Sequence, residues 1–406
     1  MNLIESLLAD AAQITALRRE IHAHPELCFQ EERTAQLVVD QLTAWGIEVH
    51  RGLGTTGVVG IVRGTAGHSG RAIGLRADMD ALPMTEHNRF AHASKTPGKM
   101  HACGHDGHTA MLLAAAQHLS RHRDFDGTAY LIFQPAEEGG GGAREMIKDG
   151  LFDQFPMQAV YGMHNWPGLK AGTFAVCDGP CMASSNEFKI TIRGKGAHAA
   201  LPHLGVDPVP VACQMVQAFQ TIVTRNKRPT DAAVISVTMI HTGEATNVIP
   251  DACTIEGTVR TFTFPVLDLI ESRMREIAQH TAAAFGAECT FEFHRNYPPT
   301  INHTAEAAVV RSVMQDTVGA EATLEFEPTM GAEDFSYFLV EKPGAYFFIG
   351  NGDGVHRLAY DERAAEATHG LGPCTLHNPN YDFNDELIPL GATLWVRLVQ
   401  KCLAPA

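Results

Sequence analysis

Residues 129–138 read AYLIFQPAEE. A five-residue apolar run, Ala129–Phe133, meets a proline and then two adjacent carboxylates, Glu137 and Glu138. The same design recurs on either side. Ala72–Arg76 runs into ADMD, and Ala159–Gly162 runs into MHNW. Helix-like stretches such as Thr109–Leu119 and Ala143–Lys148 separate these runs, and residues 11–22 and 31–45 are amphipathic at helical period. Strands alternating with helices give an α/β layer: a mixed, largely parallel sheet flanked by helices. In such sheets the working site lies beyond the carboxyl ends of the strands. Asp78 and Asp80, Glu137 and Glu138, and His164 all stand at such ends.

The pattern changes near Ser184. NEFKITIR alternates at period two, Val209–Val223 reads as a helix, and VISVTMI and CTIEGTVRTF follow as strands. Val266–Phe285 is a second helix and CTFEFH a last strand. That order, β-α-β-β-α-β, is the split βαβ arrangement of a ferredoxin-like α+β domain. The reading is therefore an inserted domain at 184–297 within a larger one formed by 1–183 and 298–406. The α/β pattern resumes with YFFIG (346–350) and a closing helix at Asp385–Leu403. A long loop, Asn351–Asn380, lies between them; ordered loops of that length are often functional.

Composition narrows the function. The chain has 406 residues, 45% apolar and 19% charged, as in a packed protein of two or three folding units. A formal net charge of −15 leaves no basic field for nucleic acid. The start, MNLIESLLADAAQ, is broken by Glu5 and Asp10 and has no basic leader, and no run of 18 apolar residues offers a membrane span. Nine cysteines, an odd number with no C-x-x-C pair, read as reduced thiols and a cytoplasmic location.

Met100–His108, MHACGHDGH, crowds three histidines and a cysteine into nine residues. Cys103 and His105 are a Cys-x-His pair in a loop that opens a helix; thiolate and imidazole suit zinc, nickel or cobalt. A buried small cysteine beside a satisfied histidine is the other reading, and a metal site needs further ligands. The acids and His164 at the strand ends supply them. Neighbours on extended backbone point to opposite sides, so one of Glu137 and Glu138 is free to bind metal while the other faces substrate. Gly139–Gly142 follow and permit close backbone approach. Taken singly, His377 and His198 read as structural, and Arg260 reads equally as a salt-bridge partner or a bidentate holder of a carboxylate.

HAHPELCFQEE, LRADMDALPM, GKMHACGHDGH, QPAEEGGGGA, GMHNWP, GKGAHAALPH, TNVIPD, GAEDFS and LHNPNYDFND occur in this order along almost the whole chain. Together they resemble the dinuclear-metal aminoacylase and carboxypeptidase family, in the branch of hippurate hydrolases and indole-acetyl-amino-acid hydrolases. The resemblance implies a zinc-exopeptidase-like catalytic domain with an inserted lid and dimerisation domain. It implies Cys103, His105, Glu138, His164 and His377 as ligands of two divalent transition-metal ions (Zn, Mn, Ni or Co), with Cys103 bridging. It further implies Glu137 as general base, and His198, Asn247 and Arg260 as residues of the inserted domain that hold the carbonyl oxygen or the substrate carboxylate. His198 and Asn247 would reach a partner subunit's site, so a homodimer or higher homo-oligomer is expected. Asp78 and Asp80 stand where more distant relatives carry His-x-Asp; Asp80 is expected to support a ligand. Cys28 replaces an expected glycine, and the loop at 358–375 is longer than is usual in the family.

The implied activity is hydrolysis of a small N-acyl amino acid to a carboxylic acid and a free amino acid, with peptidase action on small peptides as the alternative. One rival makes Cys103 a nucleophile activated by a nearby histidine, which leaves Glu137, Glu138, His164 and His377 without a task. Another is a non-catalytic metal- or ligand-binding protein, which loss of Glu137 would signal; Glu137 is present.

Overall fold

The computed structural model describes residues 1–359 and 374–405. Part of the long loop at 351–380 thus lies outside the described residues. The chain divides into two compact units. One comprises Met1–Gly179, Ile301–Glu327 and Asp334–Ala406; the other comprises Pro180–Thr300 and Pro328–Glu333.

The first unit is built on an eight-stranded sheet. Its early strands are β1 (Glu48–Leu53), β2 (Gly57–Arg63), β3 (Ala72–Asp78), β4 (Thr128–Gln134), β5 (Ala159–Pro167) and β6 (Phe174–Val176). The order is β1-β2-β4-β3-β5, then Gly344–Gly352, β6 and Thr323–Glu325. β4, β3, β5 and Gly344–Gly352 run parallel, while β1, β2 and the pairing of β6 with Gly344–Gly352 add antiparallel contacts. The sheet is mixed and largely parallel, as the sequence pattern requires. Strands covered on both faces read as continuous apolar runs, and β2 and β3 are buried along nearly their whole length.

Parallel register fixes which side chains share a face. Arg76 lies beside Gly162, and His164 beside Phe348. Leu75, Ala77, Tyr161, Met163, Phe347 and Ile349 alternate with these and join the main core. After α1 (Glu5–Ala23) and α2 (Glu32–Ala44), the helix α3 (His105–Arg121) joins that core and is buried from His105 to Leu119. Its central side chains, MLLAAA, are apolar all round, as a helix covered on every side requires. The helix begins four residues before the apolar pattern does, because its first turn, HDGH, is polar. His105 is therefore the first helical residue rather than part of the preceding loop.

The second unit holds a four-stranded antiparallel sheet in the order 233–242, 252–261, 185–193, 288–297. Ser185–Arg193 alternates buried and exposed residues, as a strand with one covered face must. Phe188, Ile190 and Ile192 pack with Val211, Met215 and Phe219 of one helix and with Ile270 and Met274 of another. The strand order is ferredoxin-like. Pro328–Glu333 also belongs to this unit, held by Thr329 N–H to Cys181 O at 3.1 Å and Ala183 N–H to Gly331 O at 2.8 Å. No strand pattern in the sequence announces that return.

Candidate metal centre

Three strand ends and the start of α3 bring the site together within the first unit. Asp80, just past β3, sets its geometry. Its Oδ1 accepts from Glu137 N–H at 3.0 Å and its Oδ2 from Glu138 N–H at 2.9 Å. One buried carboxylate thus fixes two consecutive peptide groups beyond β4 and orients both glutamates. His105 lies 2.8 Å through Nδ1 from Asp80 O and 3.3 Å from Oδ1. A carbonyl only accepts, so Nδ1 carries a proton, and Nε2 is the nitrogen that a second proton or a metal ion can take. That Nε2 is buried without a hydrogen-bond partner, 3.7 Å from Asp78 Oδ2.

His164 repeats the logic on β5. Its Nδ1 donates to Asn165 O at 2.6 Å, so Nε2 is the free lone pair, and it faces Cys103 Sγ at 3.4 Å. His377 Nε2 lies 3.1 Å from Glu138 Oε1. Cys103, Glu138 and His377 form one group whose donor atoms lie within 4.8 Å of one another, and His105, Glu137 and Glu138 form a second. Asp78, His105, His108 and His164 form a third.

His108 and Asp78 belong to that third group but are not available as ligands. Asn165 N–H can only donate, and it donates to His108 Nε2 at 2.9 Å. His108 Nδ1 must then carry the proton, which goes to Asp78 Oδ1 at 2.6 Å. The other oxygen of Asp78 accepts from Arg76 Nη1 at 2.6 Å. Asn165 completes the clamp, donating through Nδ2 to Cys103 O at 2.7 Å and accepting from the Tyr381 hydroxyl at 2.8 Å. Gly104, at φ +92°, sits beneath this crossing; a Cβ there would meet Asn165 Nδ2 at 2.2 Å and Tyr381 Oη at 2.4 Å.

The electrostatics fit a cation. Burial alone would push His105 down, but Asp78 and Asp80 outweigh it and drive it up to about 10. Burial, then Glu138 and Glu137, push the Cys103 thiol far above its ordinary range. That thiol is not activated as a nucleophile by its surroundings; a metal ion bound beside it would favour the thiolate. Soft sulfur, imidazole lone pairs and carboxylates suit a transition metal, and the unpartnered His105 Nε2 is a donor left for one.

Asp80, Cys103, His105, Glu137, Glu138, His164 and His377 thus all lie in the first unit. Each of the last six shares a donor group or a direct contact with another. His198, Asn247 and Arg260 lie in the second unit. There His198 and Asn247 line one open concavity of about 840 Å³, together with His241 and Glu244. His198 Nδ1 accepts from Ala200 N–H at 3.0 Å, so its Nε2 carries the proton. Arg260 lies outside this concavity on 252–261, half-buried, with Nε 3.2 Å from the Thr258 hydroxyl.

The clamp of Asp78, His108, Asn165 and Tyr381 escaped sequence reasoning. Its signals are two: His108 follows His105 by one helical turn, and Asn165 adjoins His164. The first histidine of MHACGHDGH, His101, is buried with neither ring nitrogen hydrogen-bonded and lies tilted against His22, ring centroids 6.2 Å apart.

A buried cysteine, imidazoles and paired carboxylates thus gather at the carboxyl edge of a parallel sheet, in groups that could hold a metal ion. The sequence model of Peptidase family M20/M25/M40 matches residues 74–368, and the chain belongs to that family. It is 38% identical over 405 residues to the hippurate hydrolase of Campylobacter jejuni, covering 99% of this chain and 100% of that one. It is 38% identical over 395 residues to the IAA-amino acid hydrolase ILR1-like 4 of Arabidopsis thaliana, covering 96% and 86%. Among solved structures, the YXEP protein of Bacillus subtilis, described as a dinuclear metal binding peptidase, superposes with a TM-score of 0.82 at 32% identity, covering 96% and 97%.

Proposed function

We propose that this chain is a metal-dependent amidohydrolase that cleaves N-acyl amino acids to a carboxylic acid and a free amino acid. The observation that carries the reading is the pair Glu137–Glu138, fixed through both peptide N–H groups by Asp80 beside Cys103, His105, His164 and His377. Cys103, His105, Glu138, His164 and His377 would hold two divalent transition-metal ions. Ions bound there would polarise the amide carbonyl and acidify water. The names of the relatives support the substrate class, and the description of the Bacillus subtilis protein supports the count of two ions.

The chain's own residues divide the remaining work. Glu137 takes the proton of the attacking water and hands it to the leaving amine, the ordinary task of a positioned carboxylate. His198, with its proton on Nε2, donates to the oxygen on which charge develops. Asn247 shares its concavity and adds an amide donor. Arg260 pairs with the amino acid's carboxylate. The second unit acts as lid and dimerisation domain, and the enzyme is a homodimer or larger homo-oligomer. Nine unpaired cysteines fit a reducing cytoplasm, and no helix of the described residues is long and apolar enough to cross a membrane.

The deciding experiment measures release of free amino acid from benzoylglycine and a panel of N-acyl amino acids and dipeptides. Each is assayed after chelation and after return of zinc, manganese, nickel or cobalt. Metal-restored hydrolysis of the N-acyl compounds is expected. Chelator-resistant turnover would return Cys103 as nucleophile, and no turnover anywhere would leave a binding protein.

A further inference from the structure

Glu31 lies outside the donor set and has no assigned task, yet it is fully buried. Its Oε1 accepts from Ala136 N–H at 2.9 Å and from Phe29 N–H at 3.0 Å, and its Oε2 accepts from the Thr56 hydroxyl at 2.6 Å. Ala136 immediately precedes Glu137. The described residues contain four non-glycine residues at positive φ: Phe29 (61°), Thr55 (79°), Ala136 (54°) and His377 (62°). Three of the four gather at this one carboxylate: two give it their own N–H, and Thr55 precedes the residue whose hydroxyl reaches it. Left-handed backbone is disfavoured for any residue with a Cβ, and it persists only where surrounding contacts over-determine it.

With Asp80, the arrangement accounts for three consecutive peptide groups. Ala136 N–H goes to Glu31, Glu137 N–H to Asp80 Oδ1 and Glu138 N–H to Asp80 Oδ2. Ala136 O meanwhile accepts from Gly142 N–H at 3.0 Å, closing the turn behind the glutamates. Asp80 holds Glu137 and Glu138 in place, but the direction in which the chain enters them is set one residue earlier.

We infer that Glu31 is a positioning residue: it holds Ala136 in the left-handed conformation that aims Glu137 and Glu138 at the metal centre. It acts through the backbone and touches neither substrate nor ion. The inference rests on the proposed metal-dependent activity, and its central readout does not need turnover.

The test compares wild type with Glu31→Leu, Glu31→Gln, and Glu31→Leu combined with Ala136→Gly. Affinity for Zn²⁺ and for Mn²⁺ alone is read by calorimetry, and kcat and KM with benzoylglycine. Leucine keeps the volume and removes the acceptor, so metal affinity is expected to fall at least tenfold and kcat ten- to a hundredfold, with KM within about twofold. Glutamine keeps an oxygen for the two N–H groups and a donor that Thr56 can accept, and should stay within threefold of wild type. Glycine adopts φ near +54° without the Cβ penalty, so the double variant should recover at least fivefold in metal affinity while its melting temperature stays low. Should Glu31→Leu not fold, Thr56→Val frees only the far oxygen and is expected to show the same pattern at two- to fivefold.

Unchanged metal affinity in the folded variants would overturn the inference. So would a loss that glycine fails to recover, which marks a purely structural carboxylate. A wild-type chain that binds metal without hydrolysing any substrate would remove the amidohydrolase reading and leave the metal-affinity comparison to decide the role of Glu31. One that binds neither ion would remove both.

Discussion

His108 donates Nδ1–H to Asp78 Oδ1 across 2.6 Å, and that bond decides which histidine near the centre is a support rather than a ligand. With Asn165 N–H on its other nitrogen, His108 has no lone pair to offer. Substitution of such supports weakens metal binding by about 10–100-fold without removing a coordination position. His108→Ala is therefore expected to keep the wild-type metal stoichiometry at lower affinity, whereas His164→Ala, which removes a free Nε2, is expected to lose stoichiometry. Metal analysis after gel filtration separates the two. Loss of a full equivalent from His108→Ala would mean that its hydrogen bonds rearrange around an ion.

Glu137 and Glu138 are neighbours with different expected fates. Glu137→Gln removes the base but leaves Cys103, His105, Glu138, His164 and His377 intact. Turnover should fall by about 10²–10⁴-fold at unchanged metal content. Glu138→Gln should lose metal as well. A Glu137→Gln enzyme with near-normal kcat would end its role as base.

The strand ends were legible because an apolar run stops where a polar side chain must work, so Asp80, Glu137, Glu138 and His164 could be placed from one-dimensional pattern alone. The split βαβ order was legible for the same reason: period-two alternation in Ser185–Arg193 survives in the burial of the strand. Three features were not. Asp78 reads, like Asp80, as an acid at a strand end that could serve the metal, because nothing local shows that Arg76 and His108 take both its oxygens. The first turn of α3 is polar, so its start at His105 is masked. Glu31 lies 105 residues from Ala136, the residue it holds. Its pattern, one acid in a helix-opening QEE, carries no periodic signal.

Cys103 should govern the choice of ion. It is the one sulfur donor in its group, which otherwise offers Glu138 and His377. Sulfur favours zinc over manganese, and oxygen narrows that preference. Cys103→Ser is expected to weaken zinc binding by more than it weakens manganese binding, read by parallel titrations of the chelated protein. Equal losses for both ions would place the sulfur outside the coordination sphere.

His22 makes stability depend on pH. Burial and Arg18 push it down, but Asp106, at 2.8 Å, and Glu86, at 3.2 Å, raise it from 6.5 to about 9. The folded state therefore holds a proton that the unfolded chain releases near 6.5. The stabilisation, on the order of 3 kcal/mol, is full below pH 6.5 and is lost as pH rises through 9. Urea midpoints between pH 6 and 10 should fall more steeply for wild type than for His22→Gln. Parallel profiles would show that the pair Asp106 and Glu86 is satisfied without the charge.

Arg260 carries the clearest test of substrate recognition. Burial pulls its guanidinium down, Glu187 offsets this only in part, and Thr258 Oγ1 is its one hydrogen-bonded partner among the described residues. Among those residues no carboxylate lies within ion-pair distance of it. A partly desolvated guanidinium so placed gains most from a carboxylate brought by a ligand, because a charge-assisted bond is worth about 1.5–3 kcal/mol. Arg260→Ala should thus raise KM for benzoylglycine by about 10–100-fold, the same energy expressed as affinity, with a smaller change in kcat. Arg260→Lys should recover only part of this, since an ammonium lacks the planar fork. The discriminating substrate is benzoylglycine amide, which keeps the scissile bond and lacks the carboxylate. Wild type and Arg260→Ala should hydrolyse it with similar kcat/KM. If the variant loses as much on the amide as on the acid, Arg260 supports the fold of its sheet and the carboxylate is read by another residue.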